Sequence, residues 1–182
     1  MVHSYYQFAK GCVNVGKDDF VSERSPFVEV IQTCLVCLNR TETDGETLLA
    51  GMLDEAVAAG QLSEDNRRRA LRAVLNRERS ASTALSGGVA LPHGRMTGLD
   101  RIVCIIGIHP QGIAFGAPDG EPVRIFVLLL VPVEAAVVHV QFLAHLGRCL
   151  AEHAVRNDLL AATSRDDVIR AILNHVEEGS VE

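Results

Sequence analysis

The chain has 182 residues, 48% of them apolar, and a formal net charge of −6; that supports one folded domain and excludes intrinsic disorder. Tryptophan is absent and aromatic residues make up 4%, which argues against a protein that stacks single-stranded bases, and the acidic balance leaves no general basic surface for nucleic acid or anionic lipid. The longest apolar run, Ile125 to Val133, is far short of the ~20 residues of a membrane span, and Met1 to Lys10 lacks a secretion-signal pattern, so the expectation is a cytoplasmic protein that is not membrane-embedded.

Residues 1–26 show little periodicity and are expected to form an N-terminal extension, with some order in Cys12 to Val15; Pro26 marks the boundary. Phe27 to Leu38 is rich in Val, Ile, Phe and Cys and predicts a strand. Thr43 stands three residues before Glu46, a capping-box spacing. Leu48, Leu49, Met52, Leu53, Ala56 and Val57 follow at helical period, and Gly60 stops the run. A second helix is expected from about Ser63, burying Ala70, Leu71, Val74 and Leu75 and exposing Arg67, Arg68, Arg69 and Arg72. Those arginines could meet phosphate or nucleic acid, but Glu64 and Asp65 a turn away favour a solvated helix face.

Ser80 to Gly98 is rich in glycine and reads as a loop, a short strand at Val89–Leu91 and another loop, the kind of segment that carries chemistry on a rigid scaffold. Ile102 to Ile108 predicts a strand, and Ile113 to Phe115 a short edge strand. Val123 to Val131 is nearly continuous apolar sequence, expected as a central strand buried on both faces and ended by Pro132. A helix is expected over Val137 to His153, with His139, Leu143, Leu146 and Leu150 as its apolar stripe. A short helix over 155–162 follows. Ser164 then caps a last helix, with Asp167 three residues on and Val168, Ile169, Ile172, Leu173 and Val176 inside. Helices at both ends of a run of strands favour an α/β three-layer sandwich with a mixed sheet between helical layers. The expected domain spans 27–177, with a tail at 178–182.

Five cysteines, three of them in apolar runs, read as reduced core residues. Cys34 and Cys37 form a C-x-x-C, but inside a strand residues i and i+3 point to opposite faces, which argues against a redox or zinc pair. The seven histidines include no H-E-x-x-H pair and no finger spacing with cysteine, so no metal is expected. Nucleophile-elbow and phosphate-loop motifs are absent as well. His93 stands out. It follows Gly87-Gly88-Val89-Ala90-Leu91-Pro92 and precedes Gly94, so glycines let backbone N–H groups approach an anion and Pro92 fixes the entry to the histidine. A neutral imidazole is a nucleophile at physiological pH. From the residues alone, His93 is either a turn histidine or a catalytic one.

The stretch Arg77-Glu78-Arg79-Ser80-Ala81-Ser82-Thr83-Ala84-Leu85-Ser86-Gly87-Gly88-Val89-Ala90-Leu91-Pro92-His93-Gly94 resembles the active-site segment of the fructose/mannitol-type enzyme IIA (EIIA) domains of the bacterial phosphotransferase system (PTS), a family that includes nitrogen-regulatory IIA proteins. The similarity continues through Ala114-Phe115, Glu121-Pro122-Val123 and Leu128-Leu129-Leu130-Val131-Pro132 to His139, and covers roughly residues 27–177. The resemblance implies the mannitol-type EIIA fold and a phosphotransferase working through phosphohistidine. His93 matches the phosphorylated histidine, which takes its phosphoryl group from the carrier protein HPr and, in transport members, passes it to a cysteine of an enzyme IIB (EIIB) domain. His139 matches the second active-site histidine, Arg77 an arginine near the phosphate, and Ser82 and Thr83 a hydroxyl pair leading to the site.

Elementary chemistry agrees with those roles. A phosphoryl group needs donors and a cation, and the planar guanidinium of Arg77 offers both. His139 falls in the first turn of its expected helix, where the helix dipole disfavours imidazolium and keeps the ring a neutral N–H donor; apart from the resemblance it also reads as a core histidine capping that helix. In-line transfer between two nitrogens needs no metal or other cofactor. The implied partners are an HPr-like phosphocarrier and either an EIIB domain or a regulatory target. The alternative is a non-catalytic EIIA-like module that regulates a partner by binding alone.

Overall fold

In the computed structural model the described residues are 26–178, and the side chains of residues 136–139 and 175–178 lie outside that description. The expected extension therefore lies outside the described residues except for Pro26, as does most of the tail. Along the described chain the elements are α1 (Pro26–Thr33), β1 (Leu35–Cys37), α2 (Gly45–Ala58), α3 (Glu64–Ser80), β2 (Ala84–Leu85), β3 (Val89–Ala90), β4 (His93–Met96), β5 (Val103–Ile113), β6 (Val123–Pro132), a 3-10 turn (Val133–Ala135), α4 (Ala136–Ala151), α5 (His153–Ala161) and α6 (Arg165–Glu178).

β6 organises the sheet. β5 pairs antiparallel with one side of it, and β1 pairs parallel with β5. On its other side β3 and β4 run parallel to β6 one after the other, with Val89 opposite Ile125 and His93 opposite Leu129. Pro92 sits between those two short strands. It has no N–H to give, but its carbonyl accepts from Leu129 N at 2.9 Å, so the line along β6 continues through it. β2 closes the edge by an antiparallel pair with β3.

Because side chains alternate across a strand, β6 feeds two cores. Ile125, Val127, Leu129 and Val131 pack with α1, α4, α5 and α6, whereas Phe126, Leu128 and Leu130 pack with α2 and α3. The result is the expected three-layer arrangement with a mixed sheet in the middle. Phe27 and Phe142, ring centroids 4.9 Å apart, join α1 to α4 in the first layer.

Several local expectations shift. Residues 26–33 are helical, not the first part of a strand: Phe27 and Ile31 are i, i+4 neighbours and both fully buried, and only Leu35–Cys37 pairs as β1. A short apolar run fits both periods, and docking of the Phe27–Ile31 face decides it. Asp44, not Thr43, caps α2, its carboxylate accepting from Thr47 N at 2.9 Å. Gly60 follows with φ +69°, the left-handed geometry that ends helices. Of the expected edge strand at 113–115 only Ile113 is strand, as the last residue of one long β5, which is bent by a bulge at Ile108–Ile113, where Gly112 (φ +77°) donates to Nδ1 of the buried His109 at 2.9 Å. The helix expected over 137–153 starts at Ala136 and breaks at Glu152, with α5 beginning at His153. Its buried face holds Phe142 and Cys149 beside the expected Leu146 and Leu150, while Leu143 is half-buried. Ser164 and Asp167 form the expected reciprocal cap of α6: Ser164 Oγ accepts from Asp167 N at 3.2 Å, and Asp167 accepts from Ser164 N at 2.9 Å.

Candidate active site

His93 opens β4, where a loop was expected, and its ring is half-buried. Gly94, the next residue, shows why the strand can lie here. A Cβ at that position would stand 3.1 Å from Ala73 Cβ, Val74 Cγ2 and Val74 N, so α3 packs directly on β4 backbone. That contact brings the C-terminal end of α3, and Arg77 with it, to the histidine.

The histidine is held at both ring nitrogens. Nδ1 lies 2.8 Å from the carbonyl oxygen of Leu91. A carbonyl only accepts, so Nδ1 carries the proton and Nε2 the lone pair. Arg77 Nε donates to that lone pair across 3.1 Å. Burial, then the Arg77 guanidinium, lower the imidazole below its usual value, against the opposing pull of the Leu91 carbonyl and of Glu78. The site therefore holds a neutral, oriented imidazole whose nucleophilic nitrogen faces a cation.

Arg77 is itself anchored: Nη1 donates to Ala81 O at 2.8 Å, across the turn that follows α3. Glu78 accepts from Thr83 N at 2.8 Å and from the Thr83 hydroxyl. Ser82 Oγ donates to Phe115 O at 2.9 Å. So Arg77 and His93 meet directly, while the hydroxyls of Ser82 and Thr83 are engaged by neighbours other than the histidine. His139 lies in the first turn of α4, and its side chain is outside the described residues. The chain that leads into α4 lies beside the histidine strand: β6 ends opposite Met96, and Arg95 Nη2 donates to Val133 O at 2.7 Å, three residues before α4 starts. Ala135, at the helix start, offers no side-chain cap, so the first N–H groups of α4 have no side chain of that residue to satisfy them.

Two participants are given no role by the sequence reading. Leu91 acts through its main-chain oxygen, which residue type does not encode. Glu78 stands beside Arg77 in the motif, but its pairing with Thr83 spans five residues, outside any helical or turn spacing rule.

Elsewhere the structure places the C-x-x-C cysteines and the α3 arginines. Cys34, in the link before β1, packs in the first core, and Cys37, the last residue of β1, in the second, so the two thiols lie on opposite sides of the sheet. Burial pushes the Cys37 thiol up to about 11. Of the arginines on α3, Arg67 pairs with Asp54 (Nε to Oδ1, 2.7 Å) and Arg69 bonds Asn66 and Thr97. Arg68 and Arg72 are exposed beside an open groove of about 240 Å³ that Leu71, Leu75, Asn76 and Arg79 also line. No helix among the described residues is long and apolar enough to cross a membrane.

Comparison with known proteins supplies the context. The family model described as phosphoenolpyruvate-dependent sugar phosphotransferase system, EIIA 2, matches residues 29–175. A protein of Haloferax volcanii named PTS system fructose-specific EIIA component is 32% identical over 143 residues, which is 79% of this chain and 92% of the relative. A nitrogen regulatory protein of Bradyrhizobium diazoefficiens is 35% identical over 111 residues, 61% of this chain and 71% of the relative. The crystal structure of nitrogen regulatory protein IIA-Ntr from Neisseria meningitidis aligns with a TM-score of 0.72 and 25% identity, over 81% of this chain and 99% of that one.

Proposed function

The chain belongs to the EIIA type 2 family of the phosphoenolpyruvate-dependent sugar phosphotransferase system, and on that premise we propose that it is a phosphocarrier charged on His93 by a phosphorylated HPr-like protein. The observation that carries this reading is the Leu91–His93–Arg77 chain of hydrogen bonds. Proton transfer is not needed to make the nucleophile, because Nε2 already has its lone pair. The Nε2–P bond forms as the donor's N–P bond breaks, and the donor imidazole leaves with the electron pair. Positive charge then develops on the His93 ring, where Nδ1–H donates to Leu91 O and stabilises it. Arg77 releases Nε2 and turns its planar fork to the phosphoryl oxygens.

His139 is the second histidine of this reading, a neutral donor at the start of α4, whose dipole favours the incoming negative charge. Ser82 and Thr83 are the phosphate-side hydroxyls; each would reach the phosphoryl group by exchanging Phe115 O or Glu78 for it. The domain that does this spans 27–177, acts in the cytoplasm and needs no metal or cofactor. The phosphoryl group goes on to an EIIB cysteine or serves as a regulatory signal of the nitrogen-PTS kind, since relatives of both names match this chain.

The test is intact mass after incubation with enzyme I, HPr and phosphoenolpyruvate, recorded near neutral pH because phosphohistidine is acid-labile. The expected result is one acid-labile phosphoryl group on the wild type and none on His93→Ala. No gain with a competent donor pair would overturn the phosphocarrier reading in favour of a module that regulates by binding alone.

A further inference from the structure

We propose that Glu78 is a positioning residue that sets Arg77 against His93. This rests on the reading of His93 as the phosphoryl acceptor and adds a residue to that site.

Three observations build the inference. First, the Glu78 carboxylate accepts both the main-chain N–H and the hydroxyl of Thr83. It thereby closes the turn between the end of α3 and β2. Second, the carbonyl of Ala81, inside that closed turn, accepts from Arg77 Nη1 at 2.8 Å. Third, with Nη1 so fixed, the other side of the same planar guanidinium presents Nε–H to His93 Nε2 at 3.1 Å. A guanidinium is rigid, so fixing one of its edges fixes the direction of the other. Arg77 is a long side chain at the end of a helix, and without the turn it would sample many rotamers. The Glu78–Thr83 clamp removes that freedom before a phosphoryl group arrives.

Glu78 has a second route to His93, its charge, and the two routes act in opposite directions. As a charge alone, Glu78 favours imidazolium, so its removal would lower the His93 titration midpoint. As a positioner of Arg77, its removal lets the guanidinium leave and raises the midpoint. Arg77 is the stronger of the two influences on the ring, so the positioning route gives a net rise. The other charged neighbour whose loss could confuse the sign is Arg77 itself, and it serves as the control.

The experiment is histidine titration by 1H–15N NMR on the full chain, for wild type, Glu78→Ala, Arg77→Ala and the double variant. Glu78→Ala is expected to raise the His93 midpoint, and in the Arg77→Ala background it is expected to give no further rise. A fall or no change in the first comparison, or an equal rise in both backgrounds, would overturn the proposal. Thr83→Val provides a second arm that leaves Glu78 in place: it should raise the midpoint by less, and Thr83→Ser should restore it. That arm decides the matter if Glu78→Ala does not fold. Phosphoryl uptake from HPr gives the kinetic counterpart, with Glu78→Ala slowed about tenfold alone and not at all on top of Arg77→Ala; additive losses would contradict a shared route. A wild type that takes no phosphoryl group would sink the phosphocarrier reading and leave the titration result to stand on its own.

Discussion

Arg77 Nε lies 3.1 Å from His93 Nε2 and donates to it, so the resting site keeps a cation on the nucleophilic lone pair. That arrangement does two things at once. It disfavours imidazolium, and it stores the positive charge where phosphoryl oxygens will need it. Replacing Arg77 with Ala is expected to raise the His93 titration midpoint and to slow phosphoryl uptake roughly 10- to 100-fold, the range of a lost charge-assisted hydrogen bond. Arg77→Lys should not rescue the rate, because an ammonium cannot bridge Ala81 O and the site with one rigid plane. Stopped-flow or quench measurement of phosphoryl uptake checks this; an Arg77→Lys variant at wild-type rate would refute the role of the fork.

The same depressed imidazole makes stability pH-dependent. The folded His93 titrates below its usual value of 6.5. Between the folded value and 6.5 the unfolded chain binds the proton and the folded chain does not, so stability rises with pH in that window. Its contribution is fully present above about 6.5 and is lost as pH falls through the lower folded value. His145, lowered by burial and by Arg148, adds in the same direction. Urea midpoints measured from pH 7.5 to pH 5 should fall on acidification, and His93→Gln should flatten that fall without removing it. An unchanged slope in His93→Gln would show that the histidine is not held neutral by the fold.

Gly94 couples the sheet to α3. A Cβ there would stand 3.1 Å from Val74 N, a backbone atom that cannot swing aside. Gly94→Ala is expected to cost about 1–3 kcal/mol of folding stability through overpacking. It should also slow phosphoryl uptake, since moving α3 moves Arg77. Thermal unfolding and the uptake assay report the two effects separately; a variant with normal stability and rate would show that α3 does not depend on this close approach.

How far the sequence exposes this architecture depends on where the information lies. The two-sided burial of β6 is legible because nearly every residue from Val123 to Val131 is apolar, and the fold buries it on both faces. The α6 cap is legible because Ser164 and Asp167 carry their own hydrogen-bonding chemistry. By contrast, Phe27–Leu38 is short and apolar throughout, and only packing against Phe142 distinguishes helix from strand. β4 is invisible because His93-Gly94-Arg95-Met96 has no strand pattern; it becomes a strand by pairing with β6. In the site, His93 and Arg77 are legible from the motif, and their contact needs the packing of α3 on Gly94. The roles of Leu91 and Glu78 depend on a main-chain atom and on a turn closure, which no residue pattern announces.

The cap of α6 offers a control remote from the histidine. Ser164→Ala removes the acceptor of Asp167 N and is expected to cost about 1 kcal/mol. Differential scanning calorimetry should show a lower Tm, while phosphoryl uptake at a temperature well below Tm stays at the wild-type rate. A loss of uptake there would mean that the site responds to global stability and not to its own geometry.

His139 separates acceptance from delivery. His139→Ala is expected to retain phosphoryl uptake on His93 and to slow onward transfer, read by loss of the label after an acceptor EIIB domain is added. Wild-type delivery by that variant would remove His139 from the mechanism.

The most direct measurement is 15N NMR of the phosphorylated protein with labelled histidine. The Leu91 carbonyl commits Nδ1 to its proton, so the account requires the phosphoryl group on Nε2 of His93, with Nδ1 still hydrogen-bonded. A phosphoryl group on Nδ1 of His93, or on any other side chain, would contradict it.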